Sequence, residues 1–237
     1  MDMPQTKARQ VIALDGAAPI GPQLLRSLRE RIIRTELVPG MRLSEQEVAQ
    51  TYDLSRQPVR EAFIRLAEEG LVEIRPQRGT FVRKISESEV VDARFVREAV
   101  EADLVRLAAE KADARLVSEL RHLVALQDQV SDGDAANFMR LDEAFHRLLA
   151  EVAGRPRTWT ILETIKAQMD RVRYLTASEF PKALLITQHM AIVDAVASGD
   201  AAAAEAAMRE HLRKVLFDLP AIMAAHPLFF EAGHKAG

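Results

Sequence analysis

The chain contains no cysteine. That excludes disulfide frameworks, thiolate-held metals and cysteine nucleophiles, so any metal must be held by imidazole and carboxylate. Aromatic residues are scarce, with 9 Phe, 2 Tyr and 1 Trp in 237 residues. Ala, Leu, Glu and Arg are plentiful instead, a balance that favours helices packed by aliphatic side chains over sheets. No run approaches the ~18 uncharged apolar residues of a membrane span. Met1 to Gln10 lacks the basic-then-apolar order of a secretory signal, so no membrane partner and a cytoplasmic location are expected. What is present, 48% hydrophobic and 28% charged residues, is enough to bury a real core and excludes disorder of the whole chain.

The net charge of −3 conceals an asymmetry. Residues 1–84 carry 14 basic and 11 acidic side chains, and the remainder carries 18 and 24. A basic front joined to an acidic rear is the pattern of a polyanion-binding module followed by a non-binding one.

Residues 1–19 lack a sustained period and contain Gly16, Ala17, Ala18 and Pro19, the marks of a flexible arm. From Pro22, apolar residues Leu24, Leu25, Leu28, Ile32 and Ile33 recur at helical spacing until the Pro39-Gly40 turn. Ser44 followed by Glu47 is a capping box, predicting a short helix to Thr51. Ser55 begins a third helix with Val59, Ala62, Phe63, Leu66 and Ala67 on one face, and Gly70 ends it. Residues 71–83 then alternate around Pro76-Gln77-Arg78-Gly79, a β-hairpin with a basic tip. Beyond Lys84 the strand signal disappears. Helices are predicted over about 87–112, 114–131, 134–153, 156–178, 181–198 and 200–219, broken at Asp113, Asp132-Gly133, Gly154-Pro156, Phe180-Pro181 and Gly199-Asp200. The expected fold is therefore mainly α, a winged helix-turn-helix over 20–84 and an antiparallel helical bundle over 85–226. Pro220 and Pro227 predict an irregular ending and a tail over 227–237.

In a helix-turn-helix the second helix enters the major groove by its N-terminal residues, which here are Arg56, Gln57 and Arg60. Arg matches guanine O6 and N7, and Gln matches adenine N6 and N7. Arg56 and Arg60 are four residues apart and share a face, away from the apolar one. At the wing, Arg78 and Gly79 would approach phosphates or the minor groove. Ser44, at the start of the second helix, completes the set expected at DNA: Ser44, Arg56, Gln57, Arg60, Arg78 and Gly79. Read singly, each of these arginines equally fits a solvated helix face.

The runs Pro39-Gly40-Met41-Arg42-Leu43-Ser44-Glu45, Leu54 to Ala62, Leu66 to Val72 and Arg78 to Val82 resemble the N-terminal domain of GntR-family transcriptional regulators, in one unbroken register. The resemblance implies that Arg56, Arg60 and Gly79 contact operator DNA. One departure is Gln46, where members often carry Arg.

In the second half, Asp142 and His146 share a helix face four residues apart. His189 and His211 stand among apolar residues of two later helices. Three His and one Asp form a coherent donor set for a divalent transition metal such as Zn, Ni, Fe or Mn, if the helices converge; separate hydrogen-bonded core histidines are the alternative. His122, His226 and His234 read as ordinary histidines. The motifs Arg97 to Glu101, Asp142 to His146, Gln188-His189 and Ala206 to Leu212 resemble the FCD domain of the FadR-like branch of the same family. That resemblance implies a metal held by Asp142, His146, His189 and His211 at the floor of an effector pocket. Arg97 is the first expected contact for an effector carboxylate, with Arg171 or Arg173 next, because a guanidinium fork matches a carboxylate. For Arg97 the alternative is an i,i+4 surface pair with Glu101.

The expected protein is thus a homodimeric regulator of double-stranded operator DNA, controlled by a small organic acid such as a sugar acid, and not an enzyme. The alternatives are a metal-dependent hydrolase with an accessory DNA-binding module, and a helical dimerisation module with no effector.

Overall fold

The computed structural model describes residues 12–131, 133–176, 182–217 and 219–232, with the backbone alone at 215–217. It divides into two compact units, one ending at Lys84 and one beginning at Ile85.

The first unit contains α1 (Ile20–Ile33), β1 (Arg42–Leu43), α2 (Glu45–Thr51), α3 (Arg56–Glu68), β2 (Val72–Arg75) and β3 (Gly79–Val82). The Ser44 hydroxyl accepts from the Glu47 N–H and starts α2, with Glu45 and Glu47 in a first turn that favours negative charge. Asp53, at φ +53°, turns the chain between α2 and α3. The buried face of α3, Val59, Ala62, Phe63 and Leu66, packs on Leu24, Leu28 and Ile32 of α1. That leaves the opposite face of α3 to solvent. The predicted hairpin is present. Its second strand also pairs with β1, giving an antiparallel sheet in the order β1-β3-β2. The two-residue β1 is too short to show alternation in the sequence. The first 11 residues of the expected arm lie outside the described residues. Ile12 donates its N–H to the Thr51 carbonyl, and the Gln23 side chain bonds both the N–H and the carbonyl of Asp15. The described part of the arm is therefore tied to its own domain.

The second unit is helical: α4 (Glu87–Glu110), α5 (Ala114–Gln129), α6 (Ala135–Val152), α7 (Pro156–Ile165), α8 (Ala167–Leu175), α9 (Lys182–Ala197), α10 (Ala201–Phe217) and α11 (Leu219–Ala225). Ser86, Asp113 and Asp134 each accept an N–H three residues on, and Pro156 occupies the first position of α7, where no N–H bond is lost. The main core joins Val105, Leu120, Phe145, Leu149, Ile192, Val193, Met208 and Leu212.

Two expectations are corrected here. The single helix expected over 156–178 is two, broken at Lys166, where the side chain turns inward to Asp170 and lies 5.8 Å from the Trp159 ring. The irregular ending contains α11, because Pro220 sits in its first turn and costs no backbone bond. Beyond it, Phe230 packs in a cluster with Ile85, Val90 and Met169 and bridges to Ile85, so the chain as far as Phe230 belongs to the helical unit. The Asp132 and Phe180-Pro181 breaks, His234 and the end of the tail fall outside the described residues.

Candidate metal centre and nucleic-acid interface

Three helices converge on one buried point. α6 supplies Asp142 and His146, α9 supplies His189 and α10 supplies His211; one donor atom from each lies within 4.8 Å of the others. All four side chains are buried.

The imidazoles are held from behind. His146 Nδ1 lies 2.6 Å from Glu101 Oε2, His189 Nδ1 is 2.7 Å from Gln127 Oε1, and His211 Nδ1 is 3.2 Å from Gln188 Oε1. The glutamine oxygens at Nδ1 of His189 and His211 place the proton there and leave those Nε2 lone pairs facing inward, while His146 Nδ1 lies within ion-pair distance of Glu101. The Nε2 atoms of His146 and His211 are then 3.3 Å apart, and His189 Nε2 is 3.5 Å from Asp142 Oδ1. Neither His189 Nε2 nor Asp142 Oδ1 has a hydrogen-bond partner. Acceptors crowded together in a buried space without a donor are an arrangement that a cation between them would satisfy. The donor set, three imidazoles and a carboxylate, fits a divalent transition metal.

Charges around the site agree with that reading. Burial pushes the His189 imidazole down to about 3, and pushes His211 well below its usual range, so both stay neutral. Burial alone would raise the Asp142 carboxyl, but the Arg173 guanidinium, 2.9 Å from Oδ2, holds it well below the usual carboxylate range. Burial likewise opposes ionisation of Glu101, and Arg97 with His146 overcomes it, bringing Glu101 down to about 2. The Arg97–Glu101 pair foreseen at i,i+4 exists, but it is buried beneath the site and not on the surface; Arg97 is 2% exposed. No motif marks Gln127, and Gln188 stands out only as the neighbour of His189. Arg171 is fully buried, with one guanidinium nitrogen on Gln168 Oε1.

These shifts set a pH dependence for the metal-free protein. An unfolded chain protonates His189 and His211 near 6.5 and Asp142 and Glu101 near 4, protons that the folded site refuses. Stability is therefore fully present above pH 6.5 and falls as the pH drops below it, by about 1.4 kcal/mol per pH unit for each proton excluded. Urea midpoints from pH 7.5 to 4.5 measure this, and His189→Gln should flatten the upper part of the decline. A midpoint constant from pH 7.5 to 5 would contradict it.

In the first unit, Arg56, Gln57 and Arg60 are all exposed at the start of α3. Arg60 donates from Nε and one Nη to the two oxygens of Glu45, at 3.0 and 3.2 Å, and Arg56 Nε is 3.7 Å from the same carboxylate. Gln57 donates to Glu61 Oε1 at 2.9 Å. Ser44 serves as the α2 cap. Arg78 is exposed at the wing. Gly79 has φ +111°, and a Cβ there would stand 2.8 Å from Arg42 Nε, so the missing side chain also makes room for Arg42 across the wing.

A model of the FCD domain matches residues 92–214, and one of bacterial regulatory proteins of the gntR family matches residues 22–82. The chain is 39% identical over 204 residues to the HTH-type transcriptional repressor RspR of Escherichia coli K12, covering 85% of this chain and 90% of that protein. It is 41% identical over 204 residues to an uncharacterized HTH-type transcriptional regulator in an unstable DNA locus of Streptomyces ambofaciens, covering 86% of each. Its fold is shared with E. coli McbR/YncC at a TM-score of 0.74 and 19% identity, over 88% of this chain and 99% of that one. Among the described residues, no helix is long and apolar enough to cross a membrane.

Proposed function

Since the chain belongs to the gntR family of bacterial transcriptional regulators, with a winged helix-turn-helix and an FCD domain, we propose that a small organic acid bound at the four-residue centre sets its affinity for operator DNA. The observation that carries this reading is the buried convergence of Asp142, His146, His189 and His211, with Nδ1 of each imidazole held by an oxygen.

Asp142 and the three Nε2 atoms would hold a divalent cation, which supplies a Lewis-acid position for an anionic oxygen. The chain's own part is to select and respond to the acid. Arg173, bound to Asp142, and Arg97, bound to Glu101, are the forks an incoming carboxylate would share. Both lie among helices α4, α6, α8, α9 and α10. An acid that fits one packing of those helices better than another shifts the population of the regulator, and one that fits both equally shifts nothing. At the DNA end, Ser44, Arg56, Gln57, Arg60, Arg78 and Gly79 form the contact set, and a homodimer would present two copies to a pseudo-palindromic site.

The relatives reported above are transcriptional regulators, and nothing in them supports the hydrolase alternative. A melting screen of organic acids, sugar acids first, tests the effector reading. With the protein loaded with Zn²⁺ or Ni²⁺, an acid at about 100 times its Kd adds about 2.7 kcal/mol and raises the melting temperature. The same acid has no effect on protein stripped with chelator. Equal shifts in loaded and stripped protein would contradict a metal-linked effector.

A further inference from the structure

Glu45 is the first residue of α2, yet its carboxylate serves the start of α3. It accepts from both Nε and one Nη of Arg60, and it lies 3.7 Å from Arg56 Nε, so one acid gathers both arginines of the exposed end of α3. The pair with Arg60 crosses 15 residues of sequence and two helices. It differs from local pairs of the unit such as Arg65 with Glu68, and joins α2 to α3 as Arg29 with Glu69 joins α1 to the end of α3. The Glu45 side chain is 24% exposed while those of Arg56 and Arg60 are 65% and 61% exposed, so the acid sits below and the guanidiniums stand above it.

A guanidinium is a rigid plane with five N–H donors. With its Nε side edge on the Glu45 carboxylate, Arg60 is biased toward one plane, and that pair does not use the Nη1–Nη2 end edge. That end edge is the one able to make two parallel bonds to guanine O6 and N7. A free arginine would surrender rotamer entropy to adopt the same pose. The acid has a second effect. Its charge opposes phosphates near α3, so sequences that offer Arg60 no guanine gain less from the pair of arginines.

We infer that Glu45 is a specificity-determining residue of the DNA interface, which positions Arg60, and through it Arg56, for base contact without touching DNA itself. This rests on the reading of α3 as the recognition helix.

The test compares wild type with Glu45→Gln, Glu45→Asp and Arg60→Ala, on the duplex that wild type enriches from a randomised DNA pool and on a scrambled duplex. Glu45→Asp keeps the charge and the helix-start preference but shortens the reach. Positioning predicts that both Glu45 variants lose about tenfold in the ratio of selected to scrambled affinity, with scrambled binding no weaker than wild type. It also predicts a relaxed consensus when each variant is put through its own selection. An unchanged ratio in Glu45→Asp would overturn the inference, because charge alone would then suffice. So would equal tightening on both duplexes in Glu45→Gln. If Arg60→Ala keeps the full ratio, the failure lies instead with the recognition-helix reading.

Discussion

Replacing Arg56 and Arg60 together by alanine should abolish sequence-selective DNA binding while leaving the melting temperature in place. Both side chains are exposed and neither packs in the core of the first unit, whose α3 contribution is Val59, Ala62, Phe63 and Leu66. Their loss removes only ion pairs with Glu45, and exposed pairs contribute little to stability. At a base edge the same groups matter far more. Each bidentate contact is worth about 1–3 kcal/mol of discrimination, so the double variant should lose roughly thirtyfold to 25,000-fold in selectivity. Binding to scrambled DNA should weaken less, with a salt slope lower by about two at most. Fluorescence anisotropy on selected and scrambled duplexes reads both quantities. Selectivity retained in the double variant would mean that another surface reads the sequence.

The second large effect is expected at the metal centre. Asp142→Asn keeps the shape of the side chain but removes the one negative charge of the donor set and the partner of Arg173. Changing a supporting residue of a metal site typically costs 10–100-fold in affinity, so losing a direct ligand should cost more than about a hundredfold. The protein carries its own reporter. Its single tryptophan, Trp159, lies nearly parallel to the His146 ring with centroids 6.2 Å apart. Titration of stripped wild type with Ni²⁺ or Cu²⁺ should quench Trp159 and raise the melting temperature; Asp142→Asn should show neither at the same concentrations. Glu101→Gln, which weakens the support behind His146 and removes the charge paired with Arg97 while leaving the four ligands in place, should give an intermediate affinity. Equal quenching in wild type and Asp142→Asn would place the metal elsewhere.

Much of this was legible in the sequence because the signals were local. Ser44 with Glu47, Gly70 and the Arg78-Gly79 tip each mark an element by short-range chemistry, and each stands where the structure has it. Asp142 and His146 were readable for the same reason, since four residues on a helix define one face. Convergence with His189 and His211 was beyond spacing and rested on resemblance to a family. Other features left no local trace. The break at Lys166 has neither Pro nor Gly to announce it. α4 buries Arg97, Glu98 and Glu101 alongside Val105 and Ala108, so polar residues point into the bundle where a pattern of apolar periodicity would send them outward. The i,i+4 spacing of Arg97 and Glu101 gave the pair but not its depth. Gln127 supports His189 from a different helix, and a glutamine 62 residues away in sequence carries no mark of that role.

In the function proposed above, occupancy of the buried centre governs binding at the DNA surface of the first unit. The most direct measurement of that link is the Kd of the selected duplex for metal-loaded wild type, with and without the acid that most raises its melting temperature, set beside Asp142→Asn. The expected change is about tenfold or more in wild type, the size of an ordinary coupling free energy, with none in the variant. An acid that stabilises the metal-loaded protein but leaves the duplex Kd unmoved would contradict it.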